Sequence, residues 1–147
     1  MRDVLAQLFH IAEPNAARHP LSGFALFRLG FRPFFLLGSL FGVVALAYFI
    51  ILLTGFLPSA WDAVSWHRHE MLFGYAGAII AGFLLTAVPN WTGHPTPKGG
   101  SLALIVALWL AGRLMVFCSG EFPAMLVAAV DIAIFPTCAL GILPALL

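Results

Sequence analysis

One stretch of this chain gathers several side chains able to do chemistry: Trp66-His67-Arg68-His69-Glu70-Met71. Imidazole nitrogens ligate haem iron and copper, and a thioether sulfur suits reduced copper. A few convergent polar groups at the rim of an apolar cavity are also what a small-molecule site needs. These types make His67, His69 and Glu70 the candidate cofactor-binding residues, and His67, His69 and Met71 the candidate metal ligands. Helical spacing limits which of them cooperate. His67 and Met71 are four apart and share a face, and His67 and Glu70, three apart, are also neighbours. His69 points nearly opposite, towards the side of Leu72 and Phe73. One metal held by both histidines therefore requires non-helical chain or ligands from other helices; two separate metals are the other arrangement. Without a metal, the same residues read as interfacial. Arg68 and His69 then reach lipid headgroups, and Glu70 favours the dipole at a helix N-terminus.

Three ionisable groups sit within apolar runs. Glu70 stands one residue inside such a run, on the face of Gly74, Ala78 and Gly82, so it looks into a bundle and needs a partner. Arg32 lies towards the opposite end and is not that partner. Arg113 and Asp131 flank the turn at Ser119-Gly120-Glu121. At 1.5 Å per residue both lie roughly 9–14 Å from that turn. A structural ion pair between them is expected; a proton relay or a counter-ion to bound haem is the functional alternative. His94 is a loop histidine, a membrane thickness away from His67. Cys118 and Cys138 fit no metal or redox spacing and read as small hydrophobes.

The elements that must position these residues follow from composition. Hydrophobic residues make up 62% of the 147 and charged residues 9%, against about 25% charged in soluble domains. Such a chain cannot build a charged shell, and its net charge of +1 gives no reason to expect nucleic acid. The fold class expected is all-α: a polytopic membrane protein of about four transmembrane helices in a lipid bilayer. The spans are expected at about 34–57, 67–91, 101–119 and 122–147, together forming a domain over 34–147. Gly38 and Gly42 form a GxxxG pair in the first. Gly74, Ala78, Gly82 and Thr86 make a smooth stripe on the second, suited to close helix packing or to a flat cofactor. Pro89 and Asn90 are expected to end the second span, and Pro136 and Pro144 to bend the fourth.

Residues 1–33 form a polar lead-in. There Val4, Leu5, Leu8, Phe9 and Ala12 suggest a short interfacial helix, with a disordered tail as the alternative. Arg2, Arg18, Arg28 and Arg32 precede the first span, whereas the next two loops carry Arg68 and Lys98. The positive-inside rule then places the N-terminus in the cytoplasm. Trp61 and Trp66 suit the outer interface and Trp91 the inner one. The apolar stop at Leu147 is read as the end of a front portion, with later helices or an oligomer completing the protein.

Three stretches resemble the NnrS family of bacterial membrane proteins. They are Phe31-Arg32-Pro33-Phe34-Phe35, then residues 66–74 with the Trp-His-x-His-Glu-Met pattern, and then 82–93, which end Pro89-Asn90-Trp91-Thr92-Gly93. The third span, with Trp109, Gly112 and Arg113, also fits. The resemblance implies a multi-pass protein of the bacterial inner membrane that contains haem and copper. It also implies a role in the nitric oxide response and denitrification, with nitric oxide as a partner. His67, His69, Glu70 and Met71 match the family's His-rich motif, and Arg32 its Arg-Pro motif. Two other functions compete: a membrane redox enzyme acting on a diatomic substrate, and a metal-free transporter or scaffold component.

Overall fold

The computed structural model describes residues 24–57 and 59–147. The interfacial helix expected around Val4 to Ala12 lies outside the described residues. Within them, four helices are long and apolar enough to cross a membrane: α1 Phe31–Leu53, α2 Ala63–Thr92, α3 Gly100–Phe117 and α4 Ala124–Ala145. A 3₁₀ turn, Ala25–Arg28, precedes α1. Contacts between loops show how the helix ends group. The Gly99 N–H donates to the Phe27 carbonyl at 2.7 Å, joining the starts of α3 and α1. The Trp61 indole N–H donates to Ser119 Oγ at 2.8 Å, joining the start of α2 to the turn after α3. The bundle thus has an Arg32 end and a Trp61 end.

The helix limits differ from the hydropathy reading for local reasons. α1 begins at Phe31, before the expected 34, because proline is tolerated in a first turn where N–H groups lack helical partners. The Phe31 N–H donates instead to Thr86 Oγ1 at 2.9 Å. α1 stops at Leu53, with Gly55 in the left-handed region at φ 68°, so Phe56 and Leu57 fall outside it. α2 starts early because Asp62 caps it, its carboxylate accepting the Ser65 N–H at 2.9 Å. That hydrogen bond holds the Asp62 carboxyl below its ordinary value of 3.8.

α2 also runs through Pro89 to Thr92, where Gly93 caps it at φ 76°. Proline leaves the carbonyl four residues back without its N–H. Here that carbonyl belongs to Leu85, and the buried Thr96 hydroxyl donates to it at 2.6 Å. In α4 the regular helix is interrupted at Ala133, between Ala124–Ile132 and Ile134–Ile142. Pro136 cannot donate to the Ile132 carbonyl, and Thr137 turns both its N–H and its hydroxyl to Ala133.

The smooth stripe on α2 packs against α1. A Cβ on Gly82 would stand 2.8 Å from Phe34 Cβ, and one on Gly38 would stand 3.2 Å from Ala78 Cβ. Such spacing is what small residues permit between membrane helices. Trp109 of α3 fills the centre at 1% exposure. Phe34 and Phe41 of α1 meet it edge-on, at centroid distances of 6.4 and 5.7 Å. Trp66, expected at the interface, is instead buried against Tyr48. Trp91 is exposed at the Arg32 end. Leu40, Val43, Ile80, Leu104 and Leu140 face outwards, as lipid-facing residues do.

Candidate functional site

The site grows from an irregularity in α2. Between α-helical Ala63–His69 and Gly77–Thr92, residues Glu70–Ala76 form a π-helix. The Gly77 N–H reaches back to the Leu72 carbonyl, five residues away. A π turn holds more residues than an α turn, so it rotates the N-terminal segment of α2 relative to the C-terminal one. It begins directly after His69, inside the reactive motif.

The two motif histidines face different helices. The His67 ring stacks on Phe49 of α1, with centroids 4.1 Å apart and planes 16° apart. Its Nδ1 is buried and has no hydrogen-bond partner among the described residues. Met71 is partly buried and packs beside Ala45, Leu52, Trp66, Val116 and Val127. The His69 ring lies between Trp61 and Phe73, at 5.3 and 4.8 Å. Its Nδ1 is 3.2 Å from Glu70 Oε1, and its Nε2 is 3.0 Å from Asp131 Oδ2 of α4.

Arg113 of α3 completes the cluster. Its Nη1 donates to Glu70 Oε2 at 2.9 Å, and its Nη2 donates to Asp131 Oδ1. Glu70, Arg113 and Asp131 are 1%, 7% and 4% exposed, so all three charges lie inside the bundle. Guanidinium suits this place because its planar fork can serve two carboxylates at once. Two glycines make the space. A Cβ on Gly74 would stand 2.8 Å from Arg113 Nη1 and 2.9 Å from Glu70 Oε2. One on Gly112 would stand 3.1 Å from Asp131 Cα. The Trp109 indole N–H meanwhile donates to the Gly74 carbonyl at 3.0 Å, within the π segment. Two carboxylates facing one guanidinium leave one negative charge, and His69 bridges the carboxylates where a proton can offset it.

Sequence reasoning placed Arg113 beside Asp131 but left Glu70 without a partner. From the expected start at 67, Glu70 would lie only about 4–5 Å deep; counted from Ala63, where the Asp62 cap begins α2, it lies at about 10 Å, a depth similar to that of the other two. His69 as the fourth member depends on the π-helix, which hydrophobic periodicity does not reveal.

His67 and His69 face different helices, α1 and α4. Among the described residues, no group of three or more His, Cys, Asp or Glu is arranged to hold a metal ion. His94 is exposed in the loop between α2 and α3, at the far end of α2. The Arg32 side chain donates to the Ala25 carbonyl at 3.0 Å, closing the turn before α1.

Residues 25–147 match the family model described as NnrS protein. The chain belongs to the NnrS family. No curated protein and no solved structure matches it. In this NnrS chain the three motif stretches form one connected framework. Phe31 binds Thr86, Phe34 packs on Gly82, and the His-rich motif supplies His69 and Glu70 of the buried charge cluster. The donor set can be weighed against the haem and copper that the resemblance implies. His67 fits as one imidazole ligand, because a ring nitrogen is unengaged. Glu70 does not fit, since both its oxygens are taken up by His69 and Arg113.

Proposed function

We propose that this NnrS protein is a haem- and copper-binding component of the bacterial nitric oxide response in the inner membrane. His67 is its metal-binding imidazole. The observation that carries this reading is the unpartnered, buried Nδ1 of His67, within the motif that marks the family. A buried polar nitrogen without a hydrogen bond is costly, and metal ligation is one way to satisfy it. Haem iron would supply an open position for nitric oxide. The chain's own residues would hold the ligand. Phe49 fixes the plane of the His67 ring by stacking. Met71, four residues on, is the soft donor closest in sequence for copper. Further ligands would come from a second copy of the chain.

The orientation proposed has the Arg32 end in the cytoplasm. Arg28, Arg32 and Lys98 sit there, while Arg68 is the corresponding cation at the Trp61 end. His67 and the charge cluster then lie in the outer half of the membrane.

The test is a reduced-minus-oxidised spectrum of the detergent-purified protein, with and without nitric oxide, alongside metal analysis. A haem band that shifts with nitric oxide and is lost in His67→Ala supports the reading. A metal-free, featureless spectrum overturns it and leaves a transporter or scaffold. Consumption of nitric oxide with a reductant would instead make the protein a redox enzyme.

A further inference from the structure

We infer that His69 is a positioning residue and not a metal ligand: it bridges Glu70 and Asp131, locking the rotation of α2 that turns His67 away from α4. The inference deepens the metal-site reading and rests on it for its spectroscopic half.

The His-x-His spacing invites the opposite conclusion, that both rings serve the metal. Three observations oppose it. Both His69 ring nitrogens already face carboxylate oxygens, at 3.2 and 3.0 Å. An imidazole ligates through a ring nitrogen that points at the metal, and both of these nitrogens point at carboxylate oxygens. The ring is also flanked by Trp61 and Phe73. Finally, its bridge runs to α4, whereas His67 stacks on α1.

The bridge has mechanical consequences because of its position. His69 ends the α-helical segment, and Glu70 opens the π-helix. Fixing both side chains against Arg113 and Asp131 pins the residue at which the helix changes its winding. The rotation of everything before that residue, His67 included, is set by this anchor. Gly74 and Gly112 allow Arg113 and the α4 backbone to come close enough to form it. A metal ligand two residues from such an anchor gains a defined ring orientation, and that is the property a supporting residue confers on a site.

The test compares His67→Gln, His69→Gln, Asp131→Asn and the His69→Gln/Asp131→Asn pair in the full chain. Haem and copper per chain, the position of the haem absorption bands and the melting midpoint are recorded for each. The expected result is that His67→Gln loses the metal while keeping its melting midpoint. His69→Gln keeps the wild-type metal stoichiometry with shifted bands, and its melting loss is not additive with that of Asp131→Asn. A His69→Gln protein that stays folded but loses metal as fully as His67→Gln overturns the inference. So does full additivity of the two melting losses. If wild-type protein carries no metal, the metal-site reading fails by itself, and the additivity measurement still decides whether His69 is the bridge.

Discussion

Replacing Gly74 with alanine is the sharpest probe of the buried cluster, because helix propensity and packing predict opposite signs. In a helix interior, Gly→Ala stabilises by roughly 0.5–1 kcal/mol. Here the new Cβ would lie 2.5 Å from Phe41 Cε1, 2.8 Å from Arg113 Nη1 and 2.9 Å from Glu70 Oε2. The Phe41 ring also stands edge-on to Trp109, a contact that a shift would disturb. Overpacking of this kind costs about 1–3 kcal/mol. If the Arg113–Glu70 bond separates as well, a broken buried pair costs about 3–5 kcal/mol. Taking the middle of both ranges, the net expectation is a destabilisation of about 1 kcal/mol from overpacking alone, and more if the Arg113–Glu70 bond separates. Gly100→Ala is the control. A Cβ there has no neighbour within 4 Å, and the residue is the first of α3. Reversible unfolding in mixed detergent micelles, followed by helical circular dichroism, measures both variants. Gly74→Ala as stable as wild type would refute the close approach of Arg113 to α2.

Other substitutions test the cluster and the helix limits. Arg113→Gln leaves two buried carboxylates without their shared cation and should lower stability by about 3–5 kcal/mol or prevent recovery of monodisperse protein in size-exclusion chromatography. Thr96→Val strands the Leu85 carbonyl that Pro89 cannot serve, with an expected loss of about 1–3 kcal/mol in the same unfolding assay. Asp62 gives a pH dependence with a defined sign. Its carboxyl is lowered in the folded protein by the Ser65 hydrogen bond, so its capping contribution is complete above 3.8 and fades as pH falls through the lower folded value. Asp62→Ala should remove that acid-side dependence in melting curves recorded across pH, and a curve unchanged by the substitution would contradict the cap.

The four spans were legible because length and hydropathy are nearly sufficient for membrane helices. Their limits were less so, for reasons visible at single residues. Pro33 looks like a boundary but is tolerated in the first turn of α1, and Pro89 looks like a stop but is relieved by Thr96. The stripe through Gly74, Ala78 and Gly82 was readable as a packing surface, while its partners on α1 required the fold. Equal depth from the connecting turn pointed to Arg113 and Asp131. The same arithmetic reaches Glu70 only once the Asp62 cap is seen to start α2 at Ala63. The spacing already set His67 and His69 on opposite sides of the helix; what no periodicity could show is the π-helix at Glu70–Ala76 that follows them. The Trp-His-x-His-Glu-Met string left open one metal or two. Folded, it is an imidazole on one side of α2 and a charge bridge on the other.

The decisive measurement is nitric oxide titration of the reduced, detergent-purified protein, monitored by haem absorption, in wild type and His67→Ala. A metal-binding His67 predicts a saturable band shift in wild type and its loss in a His67→Ala protein that remains folded. An identical shift in the two proteins, or no haem in wild type, would contradict that role.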